Sequence, residues 1–359
     1  MTTISDSIIQ RALNDGNPVI DMDQAVFIWE GASAPYLVGD FNQWNEKSTR
    51  FKRVSPKLIP DSSKSIWYIT LTLPRDAYIE YAFHDPVSQQ NFIDPLNKKS
   101  VSNGMSERNN FFYMPETMPS PFPLRRADVT PGTLSKHRVE TRWLRDDYER
   151  DIYIYRPPVK EPVPLLVVFD GKDYLQRAKL NVIVDNLIAD KRIQPIAMAF
   201  LLDGGRWRNV EYACSDGTIL WLDEIILPYA KEKLNLLDTG KHPGAYGVLG
   251  SSLGGTMSLY AGLRMPDVFN KVISQAGAFT YPNRDFVIVD MVRHGHARDI
   301  NLWMDVGQLD FLLEDNRRMK DLLTEHGYNF TYSECSGAHN YTSWRNDVWR
   351  GLEKLFPPV

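Results

Sequence analysis

The chain has 359 residues, 43% hydrophobic and 24% charged, an ordinary globular composition long enough for two domains and a large buried core. A formal net charge of -4, with no basic run interleaved with aromatics, sets nucleic acid aside as a partner. No apolar run is long enough to span a bilayer, and residues 1–10 lack the basic stretch and apolar core of a secretory signal, so the expected location is cytoplasmic, with no membrane partner.

Two cysteines, Cys214 and Cys335, are too few for a disulfide framework and lack metal-ligand spacing; they read as buried free thiols. Up to about Pro115 the sequence consists of short β-branched and aromatic runs at 24–29, 34–38, 67–73 and 78–83, several alternating with period two and divided by Gly, Pro, Asn, Asp and Ser clusters. That pattern predicts a small β-sandwich domain over 1–115. Residues 116–136 are proline-rich and read as a semi-rigid linker.

From 137 to 359 the pattern changes. Residues 138–144 and 151–155 predict an opening hairpin. Apolar runs at 164–169, 195–202, 244–249, 271–275, 300–304 and 329–333 then alternate with amphipathic helices. Such alternation implies a mostly parallel sheet covered by helices on both faces, an α/β architecture whose reactive groups sit on loops beyond the carboxyl ends of strands.

The most specific signal lies in Gly250-Ser251-Ser252-Leu253-Gly254-Gly255. A buried apolar run precedes it, and residues 256–264, apolar at helical spacing and stopped by Pro266, follow it. Strand, tight turn and helix form a nucleophile elbow that lifts a serine Oγ clear of the backbone. Only Ser252 fits the G-x-S-x-G register, because Ser251 has Leu253 two residues on. Further along, Asp310 follows the 300–304 run and His339 follows the 329–333 run, so Ser252, Asp310 and His339 stand in the α/β-hydrolase order of serine, acid and histidine. His339 is expected to take the Ser252 proton and return it to a leaving alcohol, with Asp310 holding the imidazole tautomer. Asp305, Glu314 and Asp315 lie close by in sequence. Asp310 is favoured because it follows Gly307, a strand end, and opens the next helix.

An oxyanion hole requires two backbone N–H groups. Leu253 is expected to supply one, and the Asp170-Gly171-Lys172-Asp173 turn the other, from around Gly171 and Lys172.

These motifs together resemble the esterase D-like family, and within it the enterochelin esterase branch. The matching segments are 167–171, Arg208-Asn209-Val210-Glu211-Tyr212, Glu224 to Pro228 downstream, the Ser252 elbow, Gly307-Gln308-Leu309-Asp310, and 337–345 from Gly337 through His339 to Trp344 and Arg345. The resemblance implies an α/β-hydrolase fold with a mostly parallel sheet, preceded by a small immunoglobulin-like early-set sandwich. The signature of that sandwich is the run from Ala34 through Gly39-Asp40-Phe41-Asn42-Gln43 to Trp44, then Trp67, then Asp94-Pro95-Leu96-Asn97. Trp44 and Trp67 read either as sugar-stacking platforms, as in related glycogen-binding modules, or as core residues.

The expected activity is that of a serine carboxylic-ester hydrolase working through an acyl-enzyme, without metal or organic cofactor. By the resemblance, its partner is a small-molecule ester, a catecholate siderophore (ferric or iron-free) or its trilactone. Arg206, Arg208, Trp344 and Arg345 are the expected substrate contacts, with Arg208 alternatively paired to Glu211. Two other readings are an esterase for feruloyl, acetyl or small thioester substrates, and a carbohydrate-binding protein with a vestigial hydrolase half. The sequence leaves the oligomeric state open.

Overall fold

The computed structural model describes residues 4–45, 49–53, 65–104, 107–144, 149–280 and 284–358. The chain divides into two compact units. One comprises Met1–Pro119, Gln308–Phe311 and Ser336–Asn340; the other comprises Ser120–Gly307, Leu312–Cys335 and Tyr341–Val359.

The first unit contains helix α1 (Asp6–Asp15) and strands β1 (Val19–Asp21), β2 (Gln24–Glu30), β3 (Tyr36–Gly39), β4 (Lys52–Arg53), β5 (Ile66–Thr72), β6 (Tyr78–Asp85), β7 (Gln90–Phe92), β8 (Ser100–Ser102) and β9 (Arg108–Tyr113). Strands β1-β2-β5-β4 form one antiparallel sheet and β3-β6-β9-β8 a second, with β7 attached to β6. Alternation along β2 sends Phe27 inward, where its ring lies 4.9 Å from Tyr81 and 5.8 Å from Phe112, both edge-on. Val26 and Ile28 point the other way and are covered by Ile9 and Ala12 of α1. This is the small sandwich expected from the strand pattern. Helix α1 lies outside that strand pattern, and Ile8, Ile9, Ala12 and Leu13 carry its i, i+3, i+4 spacing.

In the second unit, β10 (Thr133–Glu140) and β11 (Glu149–Arg156) make the predicted hairpin. Then follow β12 (Leu165–Val168), α2 (Gly171–Gln176), α3 (Leu180–Ala189), β13 (Ala197–Leu201), α4 (Arg208–Tyr212), α5 (Asp216–Trp221) and α6 (Leu227–Lys233). The chain continues through β14 (Tyr246–Ser251), α7 (Leu253–Arg264), β15 (Phe269–Gln275), α8 (Val287–His294), β16 (Asn301–Gly307), α9 (Leu313–Glu325), β17 (Phe330–Cys335) and α10 (Tyr341–Leu355).

Among the described residues these strands form one sheet in the order β10-β11-β13-β12-β14-β15-β16-β17, parallel from β13 onward. Leu166, Val168, Leu249, Ile273 and Trp303 face one core with residues of α3 and α10. Their neighbours Leu165, Val167, Val248, Val272 and Leu302 face the other with residues of α7, α8 and α9. A sheet buried on both sides explains why its strands read as continuous apolar runs. The architecture is the α/β-hydrolase fold expected.

Two local expectations change. Part of the 116–136 stretch is tied down rather than acting as a spacer. Phe122 is buried, the Asn186 amide of α3 donates to the carbonyls of Phe122 and Leu124 at 2.7 and 2.9 Å, and Arg126 pairs with Asp190 at 2.7 Å. Asp310 also does not open a helix: β16 ends at Gly307 and α9 begins at Leu313, so Asp310 belongs to the connecting loop.

Candidate active site

Ser252 sits between β14 and α7 with φ 55° and ψ -127°, a conformation that L-residues adopt only when their surroundings impose it. Three backbone hydrogen bonds impose it here. The Ser252 N–H donates to the Gln275 carbonyl at 2.9 Å, and its own carbonyl accepts from the N–H groups of Thr256 at 3.1 Å and Ala278 at 3.2 Å. The motif glycines follow from steric necessity. A Cβ on Gly250 would lie 2.3 Å from the Gly254 carbonyl oxygen, and one on Gly255 would lie 2.8 Å from Ser274 Oγ. The turn thus leaves the serine half-exposed at the carboxyl end of β14. Leu253 N–H, in the first turn of α7, is among the donors that a helix cannot satisfy internally.

The loop after β12 approaches the same turn. A Cβ on Gly254 would come within 3.1 Å of Asp170 Oδ2. Asp170 takes the left-handed conformation (φ 50°, ψ 41°) just before α2, and its carbonyl accepts from the N–H groups of Asp173 and Tyr174. Gly171 and Lys172 occupy the first turn of α2, whose N–H groups a helix cannot satisfy internally. Gly171 packs so closely on β13 that a Cβ would stand 2.6 Å from the Phe200 carbonyl carbon.

Asp310 and His339 come together in the other unit. His339 Nδ1 lies 3.0 Å from Asp310 Oδ2 and 3.1 Å from Oδ1. A carboxylate only accepts, so the Nδ1 proton points at Asp310 and the ring's lone pair sits on Nε2. The Asp310 side chain is fully buried, whereas that of His339 retains 21% of its exposure. The two loops are joined by a hydrogen bond from Leu309 N–H to the Gly337 carbonyl at 3.0 Å. Phe311, 56% exposed, places its ring 4.4 Å from the imidazole.

The competing acids have other partners. Asp305 lies within β16, accepts from Trp303 Nε1 at 2.7 Å and from the Gln275 amide at 3.2 Å, and is buried. Glu314 pairs with Arg317, and Asp315 caps the backbone N–H groups of Phe279 and Thr280.

The expected substrate contacts fare differently. Arg208 is not paired with Glu211. Its Nε and Nη2 donate to Asp170 at 2.7 and 2.6 Å, while Glu211 is held bidentately by Arg150 at 2.7 and 2.8 Å. Burial pushes the Asp170 carboxyl up from its usual range, against the pull of the Arg208 guanidinium. Arg208 is thereby committed to a structural pair. Trp344 is buried in the core between sheet and α10, edge-on to Tyr341 at 4.8 Å, and is a packing residue. Arg206 is exposed, with its guanidinium 5.1 Å over Trp207. Arg345 is half-buried in the first turn of α10, and among the described residues its buried Nε has no hydrogen-bond partner.

In the sandwich, the Trp44 indole N–H donates to Asp40 and that of Trp67 to the Gly31 carbonyl, with Trp67 packed on the core, so both rings are anchored. Among the described residues no cluster of His, Cys, Asp and Glu could hold a metal ion, and no helix is long and apolar enough to cross a membrane. The Asn340 amide donates to Asp40 Oδ2 at 3.2 Å, a contact that sequence reasoning missed because 300 positions separate the two residues.

The iron(III) enterobactin esterase of Escherichia coli (strain K12) is 24% identical to this chain over 283 residues, covering 75% of the chain and 68% of the relative. That of Dickeya dadantii (strain 3937) is 27% identical over 230 residues, covering 58% of the chain and 52% of the relative. The crystal structure of the enterobactin esterase from Shigella flexneri in the presence of enterobactin matches with a TM-score of 0.75 at 19% identity, over 99% of each chain, a likeness of fold. A family model described as "Putative esterase" matches residues 146–355, more than half of the chain, and the chain belongs to that esterase family.

Proposed function

We propose that this chain is a serine esterase acting through an acyl-enzyme, with Ser252 as nucleophile, His339 as general base and Asp310 as the acid that orients it. The observation that carries the reading is the backbone of Ser252, held at φ 55° between β14 and α7. His339 Nε2 takes the Oγ proton as Oγ bonds to the ester carbonyl carbon. The carbonyl oxygen becomes an oxyanion, met by N–H groups of Leu253 and of Gly171 or Lys172. Collapse breaks the ester C–O bond, and the imidazolium gives its proton to the departing alkoxide. Water then attacks the acyl-enzyme with His339 again as base, releasing acid and free Ser252. No cofactor enters this cycle.

The substrate class we assign is a catecholate siderophore ester or its trilactone. The relatives named as iron(III) enterobactin esterases and the fold match across the whole chain support that class. Arg206, exposed, and Arg345, half-buried, are the guanidinium groups this reading assigns to its anionic oxygens, which a guanidinium suits. The same reading takes residues 1–115 as the sandwich domain, 116–136 as the connector, 137–359 as the hydrolase domain, and the cytoplasm as the location.

The test compares chromatographic rates on iron-free and ferric enterobactin with those on feruloylated and acetylated sugars. We expect kcat/KM for a catecholate ester to exceed that for either sugar ester by about 100-fold or more. The reverse preference would overturn the substrate assignment while leaving the serine chemistry standing.

A further inference from the structure

The Gly39-Asp40-Phe41-Asn42-Gln43-Trp44 segment has no task in the reaction described, yet it is built around a buried carboxylate. Asp40 is 4% exposed. Its Oδ2 accepts from the Glu80 N–H at 2.8 Å and from the Asn340 side-chain amide at 3.2 Å, and its Oδ1 accepts from Trp44 Nε1 at 3.2 Å. The turn that aims it is fixed in several ways. Gly39 N–H donates to Asn42 Oδ1 at 3.0 Å, Trp44 N–H donates to the Gly39 carbonyl at 3.0 Å, and a Cβ on Gly39 would stand 2.6 Å from the Glu80 carbonyl oxygen.

Burying a carboxylate is unfavourable unless its acceptors are used, and Glu80, itself buried, adds a repulsion. Burial first and Glu80 second raise the Asp40 carboxyl well above its usual range. Two of its three donors, Trp44 and the Glu80 N–H, belong to the sandwich itself. The third is Asn340, the residue next to His339, and is also buried. Leu309, next to Asp310, packs on the sandwich core and is bonded to Gly337. The loops bearing acid and base are therefore held by the sandwich at two points, one polar and one apolar.

We infer that Asp40 is a positioning residue for His339: by accepting from Asn340 it fixes the 336–340 loop, so that the imidazole keeps its place on Asp310. This rests on the serine-esterase reading above. It also gives the glycine, aspartate and tryptophan of the segment a task in holding that loop, since the Trp44 indole N–H donates to the same carboxylate.

The test uses the full chain and a p-nitrophenyl ester, with Asp40→Ala, Asn340→Ala, the double variant, and Asp40→Asn, which keeps an acceptor oxygen for Asn340. Thermal unfolding is recorded for each, and Asn340→Ala carries the test if Asp40→Ala does not fold. We expect each alanine variant to lose about tenfold in kcat with KM within about twofold, and the double variant to be no worse than the poorer single. Asp40→Asn recovers part of the loss. Folded single variants with wild-type kcat, or losses that multiply in the double, would overturn the positioning role. His339→Ala separates the two readings: if it retains activity, the serine-esterase reading fails and the inference falls with it; if it is inactive, the Asp40 and Asn340 variants judge the inference alone.

Discussion

The Nδ1 atom of His339 lies 3.0 and 3.1 Å from the two carboxylate oxygens of a fully buried Asp310. Removing that carboxylate leaves the imidazole free to adopt the other tautomer. We predict that Asp310→Asn lowers kcat by roughly 10³- to 10⁴-fold with little change in KM. Steady-state kinetics check this, and a loss below about tenfold would move the acid to another carboxylate.

The elbow glycines make a second prediction. At Gly250 an added Cβ would meet backbone, the Gly254 carbonyl oxygen at 2.3 Å, so relief requires the turn itself to move. Gly250→Ala is expected to destabilise by about 1–3 kcal/mol and to cut activity, because the same turn holds Ser252. Gly327, at φ +72° with nothing within 4 Å of a Cβ, is the contrast. Gly327→Asn should be nearly neutral, asparagine being tolerated in that region. Denaturant midpoints of the two variants distinguish a crowded glycine from a merely left-handed one.

Arg208 and Asp170 give a pH-dependent prediction. Arg208→Ala leaves a carboxylate that is 3% exposed without its cation, a loss of about 3 kcal/mol near neutrality. Burial already raises the Asp170 carboxyl, and removing Arg208 raises it further. A raised carboxyl favours the folded state when protonated, and that contribution is lost as pH rises through the folded-state value. The gap between wild type and Arg208→Ala should therefore narrow as pH falls into the carboxylate range and be widest at neutral pH. Unfolding free energies measured across that range would contradict the account if the gap widened on acidification.

Cys214 is half-buried, and burial pushes its thiol up to about 12. The thiolate is the reactive form, so Cys214 should resist iodoacetamide at pH 8 in the folded protein and react readily once unfolded. Peptide mass spectrometry after timed alkylation measures both rates. Rapid modification of the native protein would show the thiol to be more accessible than its surroundings indicate.

Local and periodic features were legible in the sequence. The strands from β12 to β17 could be read because a sheet covered on both faces demands unbroken apolar runs, and the Ser252 turn because its glycines are forced by backbone contacts. Asp310 and His339 stand out in the sequence because each closely follows a parallel strand. Side-chain partnerships between distant positions were not legible. Arg208 chose Asp170, not the nearby Glu211, which a more buried Arg150 had taken. Trp344 looked like part of a loop motif, but α10 begins at Tyr341 and turns the indole into the core. Phe122 anchors a stretch whose prolines suggested a spacer, and the Asp40–Asn340 bond joins residues with no local pattern in common.

The measurement that tests the central claim most directly is mass spectrometry after treatment with a fluorophosphonate probe, on the wild type and on Ser252→Ala and His339→Ala. The account predicts a single adduct on Ser252, absent in Ser252→Ala and lost or strongly slowed in His339→Ala. A folded wild type that gains no adduct, or an adduct on another residue, would contradict it.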